Sequence, residues 1–363
     1  MKLTYLIGAG ASAGTPINKI NKMNGESYVD YYGGLPIVNE IPGRLQKLLK
    51  DVKQFSLEGC EGDLDYRAEQ QKLIEDLQEL INVCSHHATI DTYAKKLVLT
   101  KDIFTLLHLE NILSFYFICE ELFNDIDQRY DTFLANILGD DMLLPENINI
   151  VSWNYDNFFD MAYQEYNPEG RIRTITKNDV REGNPKLFKI NGTATFENYH
   201  LSNFIEDSKL AYYDTKKTDL GYTYGMTEEG LKRLLKIYYH VCAHTPKKHS
   251  NLSFAFDSEH SIEKTFIDKL KKALASTTIL VIIGYSFPFF NRKMDQIILD
   301  ACTSLKKIYI QDINSTKVKE ILVTYFEEKH RRVAIVPITD VGSFYIPTEY
   351  TIPHVSVDVG GVM

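Results

Sequence analysis

Short apolar runs, separated by longer stretches with helical periodicity, dominate the pattern of hydrophobic and polar positions along this chain. Each run is rich in Ile, Val or Leu and is too short for a buried helix, which is typical of parallel strands covered on both faces. The predicted strands occupy residues 2–7, 147–152, 186–190, 278–284 and 307–312, and a sixth run at 333–337 is predicted to close the sheet. The pattern therefore predicts an α/β fold with a doubly wound, mostly parallel sheet.

Amphipathic helices are predicted between these strands, because apolar residues recur there at three- and four-residue spacing. The clearest example spans residues 66–84, where Leu73, Leu77 and Leu80 share one face. Further helices are predicted at about 41–52, 89–99, 103–123, 128–138 and 261–275.

The order of these elements predicts a single unit over residues 1–363. Its Rossmann-type core would comprise about 1–40, 145–193 and 276–340. A large helical insertion would occupy about 41–140, a second, less regular insertion about 195–275, and a C-terminal tail 340–363. The apolar tail could pack on the core or mediate oligomer contacts.

The first predicted strand runs into a glycine-rich turn, Gly8-Ala9-Gly10-Ala11-Ser12-Ala13-Gly14. Such a turn lets the backbone approach a phosphate closely, and its N–H groups can bind an anion, so the turn favours a nucleotide-binding domain. In a dehydrogenase, a second strand ending in an acidic residue should follow within about 30 residues. Residues 15–34 show no strand pattern, which disfavours a dehydrogenase.

Composition and charge narrow the function classes further. The 40 Lys and Arg residues against 49 Asp and Glu residues give a net charge of −9, which disfavours direct binding to nucleic acid. The five cysteines include no Cys-x-x-Cys pair, which argues against a zinc ribbon or a disulfide framework. We predict no metal site, no basic leader and no segment long enough to span a membrane, and hence a cytoplasmic protein.

Polar motifs follow several predicted strands, at the edge where open α/β sheets place their ligands. These motifs are Ser152-Trp153-Asn154-Tyr155-Asp156, Lys189-Ile190-Asn191-Gly192-Thr193, Gly284-Tyr285-Ser286-Phe287 and the Asn314 that follows the next strand. We expect them to converge with the glycine-rich turn on one site.

The order of the motifs resembles that of the sirtuin-like superfamily. The motifs are Gly-Ala-Gly-Ala-Ser at 8–12, Leu35-Pro36, Asn154-Tyr155-Asp156, Lys-x-Asn-Gly at 189–192, Gly-Tyr-Ser at 284–286, and Asn314. Over most of residues 1–315 the chain is similar, more specifically, to bacterial sirtuin-like NAD hydrolases of anti-phage defence systems. It lacks the four-cysteine zinc module of the deacetylating members, which disfavours an acetyl-lysine substrate.

The resemblance implies that NAD binds as the substrate along the carboxyl edge of the sheet. It assigns the pyrophosphate to Gly8, Ala9, Gly10, Ala11 and Ser12, the adenosine half to Gly284, Tyr285, Ser286 and Asn314, and further dinucleotide contacts to Pro36 and Gly192. It assigns catalysis to Asn154, Asp156 and Asn191. The implied reaction releases nicotinamide through an oxocarbenium-like transition state, with water as the acceptor and ADP-ribose as the product.

One position departs from the pattern of the family. Where the family has His-Gly, with histidine as the general base, this chain has Asn191-Gly192, and asparagine cannot take up a proton near neutral pH. Asn191 could be natural in a subgroup that uses Asp156 or a water relay as its base, or an engineered inactivating change. It could also mark a non-catalytic NAD or ADP-ribose sensor. A mono-ADP-ribosyltransferase with a protein acceptor is a further alternative.

The resemblance also implies partners. It suggests a homo-oligomer that stays silent until an infection signal or a partner activates it. The partner classes implied are a HerA-type ATPase, a short Argonaute protein or a phage protein.

Overall fold

Seven parallel strands form the central sheet in this computed structural model. The structure describes residues 1–20, 27–87, 89–168, 170, 172–177, 183–196, 213–218, 221–243, 250–254 and 261–350. Helices flank the sheet and fill a long insertion after its first strand. The predicted α/β fold, a Rossmann-like parallel sheet with helical insertions, is therefore confirmed.

The six predicted strands and six predicted helices agree closely with elements of the structure, which also contains strands and helices that the pattern did not predict. In chain order the strands are β1 (Leu3–Ile7), β2 (Gly14–Ile20), β3 (Ser27–Gly33), β4 (Cys60–Glu61), β5 (Leu64–Asp65), β6 (Ile148–Ser152), β7 (Thr174–Thr176), β8 (Leu187–Lys189), β9 (Gly192–Phe196), β10 (Tyr213–Thr218), β11 (Gly221–Met226), β12 (Ser250–Leu252), β13 (Ile279–Ile283), β14 (Lys307–Gln311) and β15 (Ala334–Ile338). The helices are α1 (Ile41–Lys53), α2 (Tyr66–His86), α3 (Ile90–Thr100), α4 (Ile103–Phe123), α5 (Gln128–Ile137), α6 (Phe158–Tyr166), α7 (Glu228–Tyr238), α8 (Ser261–Leu274), α9 (Arg292–Ala301) and α10 (Ser315–Glu328). The predicted helices correspond to α1–α5 and α8.

The strand order of the sheet is β15-β14-β13-β1-β6-β8-β7. From β1 the chain adds β6 and then the β7–β8 pair on one side, crosses back to place β13 beside β1, and continues outward with β14 and β15. The order therefore reverses between β1 and β13, whose register joins Leu3 to Ile279 and Ile7 to Ile283. Open α/β sheets bind their ligands at the carboxyl ends of the strands, at such a reversal.

The pattern did not predict β2–β5, β7 or β9–β12, and two of these omissions bear on the sheet and its site. The sequence pattern missed β7, because three residues at the sheet edge are too few to show a hydrophobic period. The prediction that 15–34 contains no strand is wrong, since β2 and β3 pair antiparallel with Gly14 opposite Gly33. Tyr, Val and Ile give this segment its strand propensity. The hairpin is a separate two-stranded sheet, so it does not supply the second parallel strand of a dehydrogenase.

Apolar side chains cover both faces of the sheet. All five residues of β1 are buried. On one face, Tyr5 meets Phe133 of α5 edge-on, with ring centroids 4.8 Å apart. On the other face, Leu6 joins a cluster with Phe266 of α8 and Ile298 of α9. The fold thus buries β1 between two helical layers, and it holds the turn that follows β1 at the centre of the carboxyl edge.

Helix α4 is more apolar than the sequence analysis allowed. By length and composition it could cross a membrane, with a mean hydropathy of 1.3 in its most apolar window. The prediction that no segment reaches this length is therefore wrong. In the structure 61% of that window is buried inside the protein, and Phe115 and Ile118 are inaccessible to solvent. Helix α4 packs here as the core helix of the insertion.

Residues 340–350 follow β15 and pack against the sheet, and we call them the C-terminal strap. The Gln311 side chain at the end of β14 donates to two strap carbonyls, at 2.6 Å each, and accepts the Tyr345 N–H at 2.9 Å. The buried ring of Phe344 lies edge-on to Tyr130 of α5, with centroids 5.0 Å apart. The first part of the apolar tail thus packs on the core, whereas 351–363 lie outside the described residues.

Candidate functional site

Two glycine turns meet where the strand order reverses. The N–H of Gly8 donates to the carbonyl of Ile283 at 2.9 Å, and the N–H of Gly10 donates to that of Gly284 at 3.0 Å. A Cβ atom on Gly8 or Gly284 would approach the opposing backbone to 2.6 and 2.5 Å, respectively. Gly284 also has a φ of +59°, which favours glycine. The structure therefore joins these predicted site residues in one backbone contact.

The glycine turn after β1 uses most of its N–H groups within the protein. Besides Gly8 and Gly10, Ala11 and Ser12 donate to carbonyls of the same turn, at 2.9 and 3.1 Å. The buried guanidinium of Arg129, which belongs to α5, donates to the carbonyls of Gly10 and Ala11, at 3.2 Å each. The turn thus offers a phosphate fewer open N–H groups than the motif suggests, and pyrophosphate binding there stays a prediction.

Asn154, which follows β6, is tied to the glycine turn through its side chain. Its Nδ2 donates to Ser12 Oγ at 3.1 Å, and Ser12 Oγ lies 2.9 Å from the hydroxyl of Tyr130. All three side chains are buried. Because Nδ2 is engaged, Oδ1 is the acceptor that Asn154 can present to a ligand.

Asp156 lies two residues further, at the start of α6. Its Oδ1 accepts the N–H of Phe158 at 3.1 Å. Burial raises the pKa of Asp156, and the ammonium group of Lys189 opposes that shift. Lys189, itself buried, donates to the Asp156 carbonyl and lies 3.4 Å from the carboxylate of Asp160. A buried ammonium group thus faces the carboxyl groups of Asp156, before α6, and of Asp160, in the first turn of α6.

A further buried carboxyl group, Glu121 of α4, faces the same loop. It accepts the N–H of Asn157 at 2.9 Å. Burial, and then the negative charge of Asp156, raise the pKa of Glu121 to about 8. Burial thus favours the protonated form of Glu121, which lies in α4 and faces the loop between β6 and α6.

Asn191 follows β8, and the NH2 group of its side chain is bound within the protein. Its Nδ2 donates to the carbonyl of Trp153 at 3.0 Å, which fixes the orientation of the amide. Its buried Oδ1 has no hydrogen-bond partner among the described residues, and neither has the hydroxyl of the adjacent Ser253. The next residue, Gly192, has a φ of +68° and no room for a Cβ, which would lie 1.9 Å from the Asn251 carbonyl oxygen. A buried amide oxygen and a buried hydroxyl group without partners indicate a place for a ligand or water.

The loops after β6 and β13 are joined by stacked rings. Trp153 and Tyr285 lie nearly parallel, with centroids 5.4 Å apart and planes 9° apart. The Tyr285 hydroxyl donates to Asp295 of α9 at 2.8 Å and accepts from Asn291 at 3.0 Å. Burial raises the pKa of Asp295 to about 8. Tyr285 is thus fixed within the protein, and its predicted contact with an adenosine group is untested.

The remaining predicted residues lie outside this buried network. Pro36 is buried directly after a residue whose N–H binds the carbonyl of Ser12 at 2.7 Å, so it lies beside the glycine turn. Ala9 is half-buried in that turn. Ser286 and Asn314 are exposed after β13 and β14, at the same edge of the sheet.

Sequence reasoning missed several side chains that support the site. Lys189 belongs to a predicted motif, but its contacts with Asp156 and Asp160 were not predicted. Glu121 was missed, although a charged residue in an apolar helix signals a specific role. Tyr130 gave no signal of its own, because its contact with Ser12 joins residues 118 positions apart. Ser253 lies in the second insertion, where the pattern was too irregular to place it.

A cluster of three side chains that could bind a metal ion lies apart from this site, in the helical insertion. Asp76, Glu79 and His108 bring ligand atoms within 4.8 Å of one another. His108 Nε2 lies 3.1 Å from Asp76, and Tyr238 also donates to that carboxylate at 2.5 Å. Because Glu79 and His108 are exposed, the group is an ordinary surface ion-pair network as it stands.

A comparison of the sequence with protein-family models finds no match, and neither does a search of curated proteins. The likeness to sirtuin-like proteins therefore rests on the order of the motifs alone. The candidate site is defined instead by its geometry, which gathers Ser12, Asn154, Asp156 and Asn191 beside the reversal of the strand order.

Proposed function

We propose that the protein is a NAD hydrolase, which converts NAD and water into nicotinamide and ADP-ribose. The observation that carries the proposal is the buried group of Ser12, Asn154 and Asp156, which lies beside the reversal between β1 and β13. This is the position at which a dinucleotide crosses an open α/β sheet. The order of the sequence motifs supports NAD as that dinucleotide.

The chemistry requires a polar site with little water. Cleavage of the bond between nicotinamide nitrogen and C1′ leaves positive charge on the ribose, and the carboxylate of Asp156 would stabilise that charge. Asn154 Oδ1 would orient a ribose hydroxyl or the attacking water. Water then bonds to C1′ and releases a proton, which completes ADP-ribose. Burial strengthens each of these interactions, because the local dielectric is low.

Asn191 supplies an acceptor at this site but no base. With its Nδ2 bound to the Trp153 carbonyl, its Oδ1 can orient a hydroxyl group but cannot take a proton. We assign the base to Asp156, the carboxyl group of this site, whose pKa is raised by burial.

A second candidate function is a sensor that binds NAD or ADP-ribose without cleaving it. Asn191 favours this candidate, because a neutral amide stands where a base is expected. The buried acceptor Oδ1 would serve binding as well as it would serve catalysis.

The proposal is tested by measuring, with chromatography, how much nicotinamide is released from NAD over a range of protein concentrations. We expect release by the unaltered protein and a loss on the order of a hundredfold or more in Asn154→Ala. The exposed Asn136→Ala in α5 is the matched control and should retain full activity. Binding of NAD without release under every condition would favour the sensor. Label retained on protein, rather than in free ADP-ribose, would favour a transferase.

A further inference from the structure

The first turn of α5 packs against the glycine turn that follows β1. The guanidinium of Arg129 is buried and is held by the carboxylate of Asp127, to which its Nη2 donates at 2.5 Å. The same nitrogen donates to the carbonyls of Gly10 and Ala11. Helix α5 thus fixes the backbone of the turn that carries Ser12.

Tyr130, the next residue of α5, reaches the side chain of Ser12. Its hydroxyl lies 2.9 Å from Ser12 Oγ. Its ring is 1% exposed and is held edge-on by Phe159 and Phe344, with centroids 5.8 and 5.0 Å away. The position of the Tyr130 hydroxyl is therefore set by packing rather than by solvent.

The hydrogen bonds around Ser12 link its side chain to Asn154 and to Tyr130. A hydroxyl group donates one proton and accepts through two lone pairs. Asn154 Nδ2 donates to one lone pair. Ser12 Oγ also lies 2.9 Å from the Tyr130 hydroxyl, and either of these two oxygens can donate the shared proton. In both cases Tyr130 and Asn154 together hold the Ser12 side chain in place.

We propose that Tyr130 is a positioning residue, whose hydroxyl holds Ser12 in the orientation that presents Asn154 Oδ1 to the substrate. Tyr130 contacts the side chain of Ser12, and it would affect Asn154 only through that contact. In this arrangement the Ser12 hydroxyl is an internal connector between the glycine turn and the loop after β6, rather than a phosphate ligand. The inference rests on the proposed hydrolase function for its kinetic readout.

Tyr130→Phe tests the inference, because it keeps the packed ring and removes only the hydroxyl. We expect kcat for nicotinamide release to fall by about tenfold or more, as misplaced catalytic groups do, with KM for NAD unchanged. The matched control is Tyr5→Phe, since the buried Tyr5 hydroxyl has no hydrogen-bond partner among the described residues. The double variant Ser12→Ala/Tyr130→Phe should lose no more activity than Ser12→Ala alone.

A second readout does not depend on turnover. The side-chain NH2 resonances of Asn154, assigned by their loss in Asn154→Asp, should shift in Tyr130→Phe and stay in place in Tyr5→Phe. Unchanged resonances together with an unchanged kcat in Tyr130→Phe would overturn the inference. A lack of NAD turnover by the unaltered protein would contradict the proposed function instead, and the resonances would still decide the role of Tyr130.

Discussion

The amide of Asn191 is bound to the backbone of Trp153, with its Nδ2 3.0 Å from the Trp153 carbonyl oxygen. This contact turns the amide oxygen away from Trp153, so Asn191 can accept a hydrogen bond from a ligand but cannot act as a base. Under the proposed hydrolase function, the role of the base therefore falls to Asp156.

The variants Asn191→His and Asp156→Asn together distinguish the role of Asn191 as a hydrogen-bond acceptor from the role of Asp156 as the base. If Asp156 supplies the base, Asn191→His should leave nicotinamide release within about tenfold of the unaltered protein, whereas Asp156→Asn should lower it on the order of a hundredfold or more. Initial rates with saturating NAD provide the measurement. A large gain in Asn191→His would show instead that a histidine base is missing from this position.

Gly284→Ala should destabilise the fold by about 3 kcal/mol or more, because its Cβ would clash with the backbone and its φ is positive. Gly43→Ala in α1 is the control. A Cβ at Gly43 meets nothing within 4 Å, so this change should stabilise the protein by about 0.5–1 kcal/mol. Urea denaturation followed by circular dichroism measures both. Equal effects of the two changes would argue against the contact between the glycine turns.

Phe344→Ala should lower the free energy of unfolding by about 3–5 kcal/mol, because it empties a packed site between the C-terminal strap and α5. Phe289→Ala removes the same side chain from an exposed position and should change stability by less than about 0.5 kcal/mol. Thermal denaturation distinguishes the two. A small effect of Phe344→Ala would mean that the strap contributes little to the core.

Stability should fall as the pH rises from about 5 to about 8. Glu121 and Asp295 both have a pKa raised to about 8, from ordinary values of 4.5 and 3.8. Over this window the folded protein binds more protons than the unfolded chain, so raising the pH favours unfolding.

Glu121→Gln or Asp295→Asn should flatten this decline, while the exposed Glu328→Gln should not. Urea midpoints at several pH values provide the measurement. A decline of equal slope in all variants would assign the titration to other groups.

Much of the fold follows from local pattern. The apolar run of β13 and the heptad-like spacing in α2 are properties of neighbouring residues, so their positions were predictable. The site was predictable only in part. Asn154 and Asp156 follow a strand, which marks them, but Tyr130 and Glu121 reach the site through the packing of the insertion. Such contacts depend on tertiary structure, which no local pattern encodes.

The contact between Gly8 and Gly284 has a consequence for motion. Two turns that touch through their backbones, with no side chain between them, cannot move apart or together without breaking the hydrogen bonds that join them. The position of the two turns is therefore set during folding, and a ligand bound beside them would meet a surface that needs little ordering. Any closure over that ligand must come from segments outside the two turns.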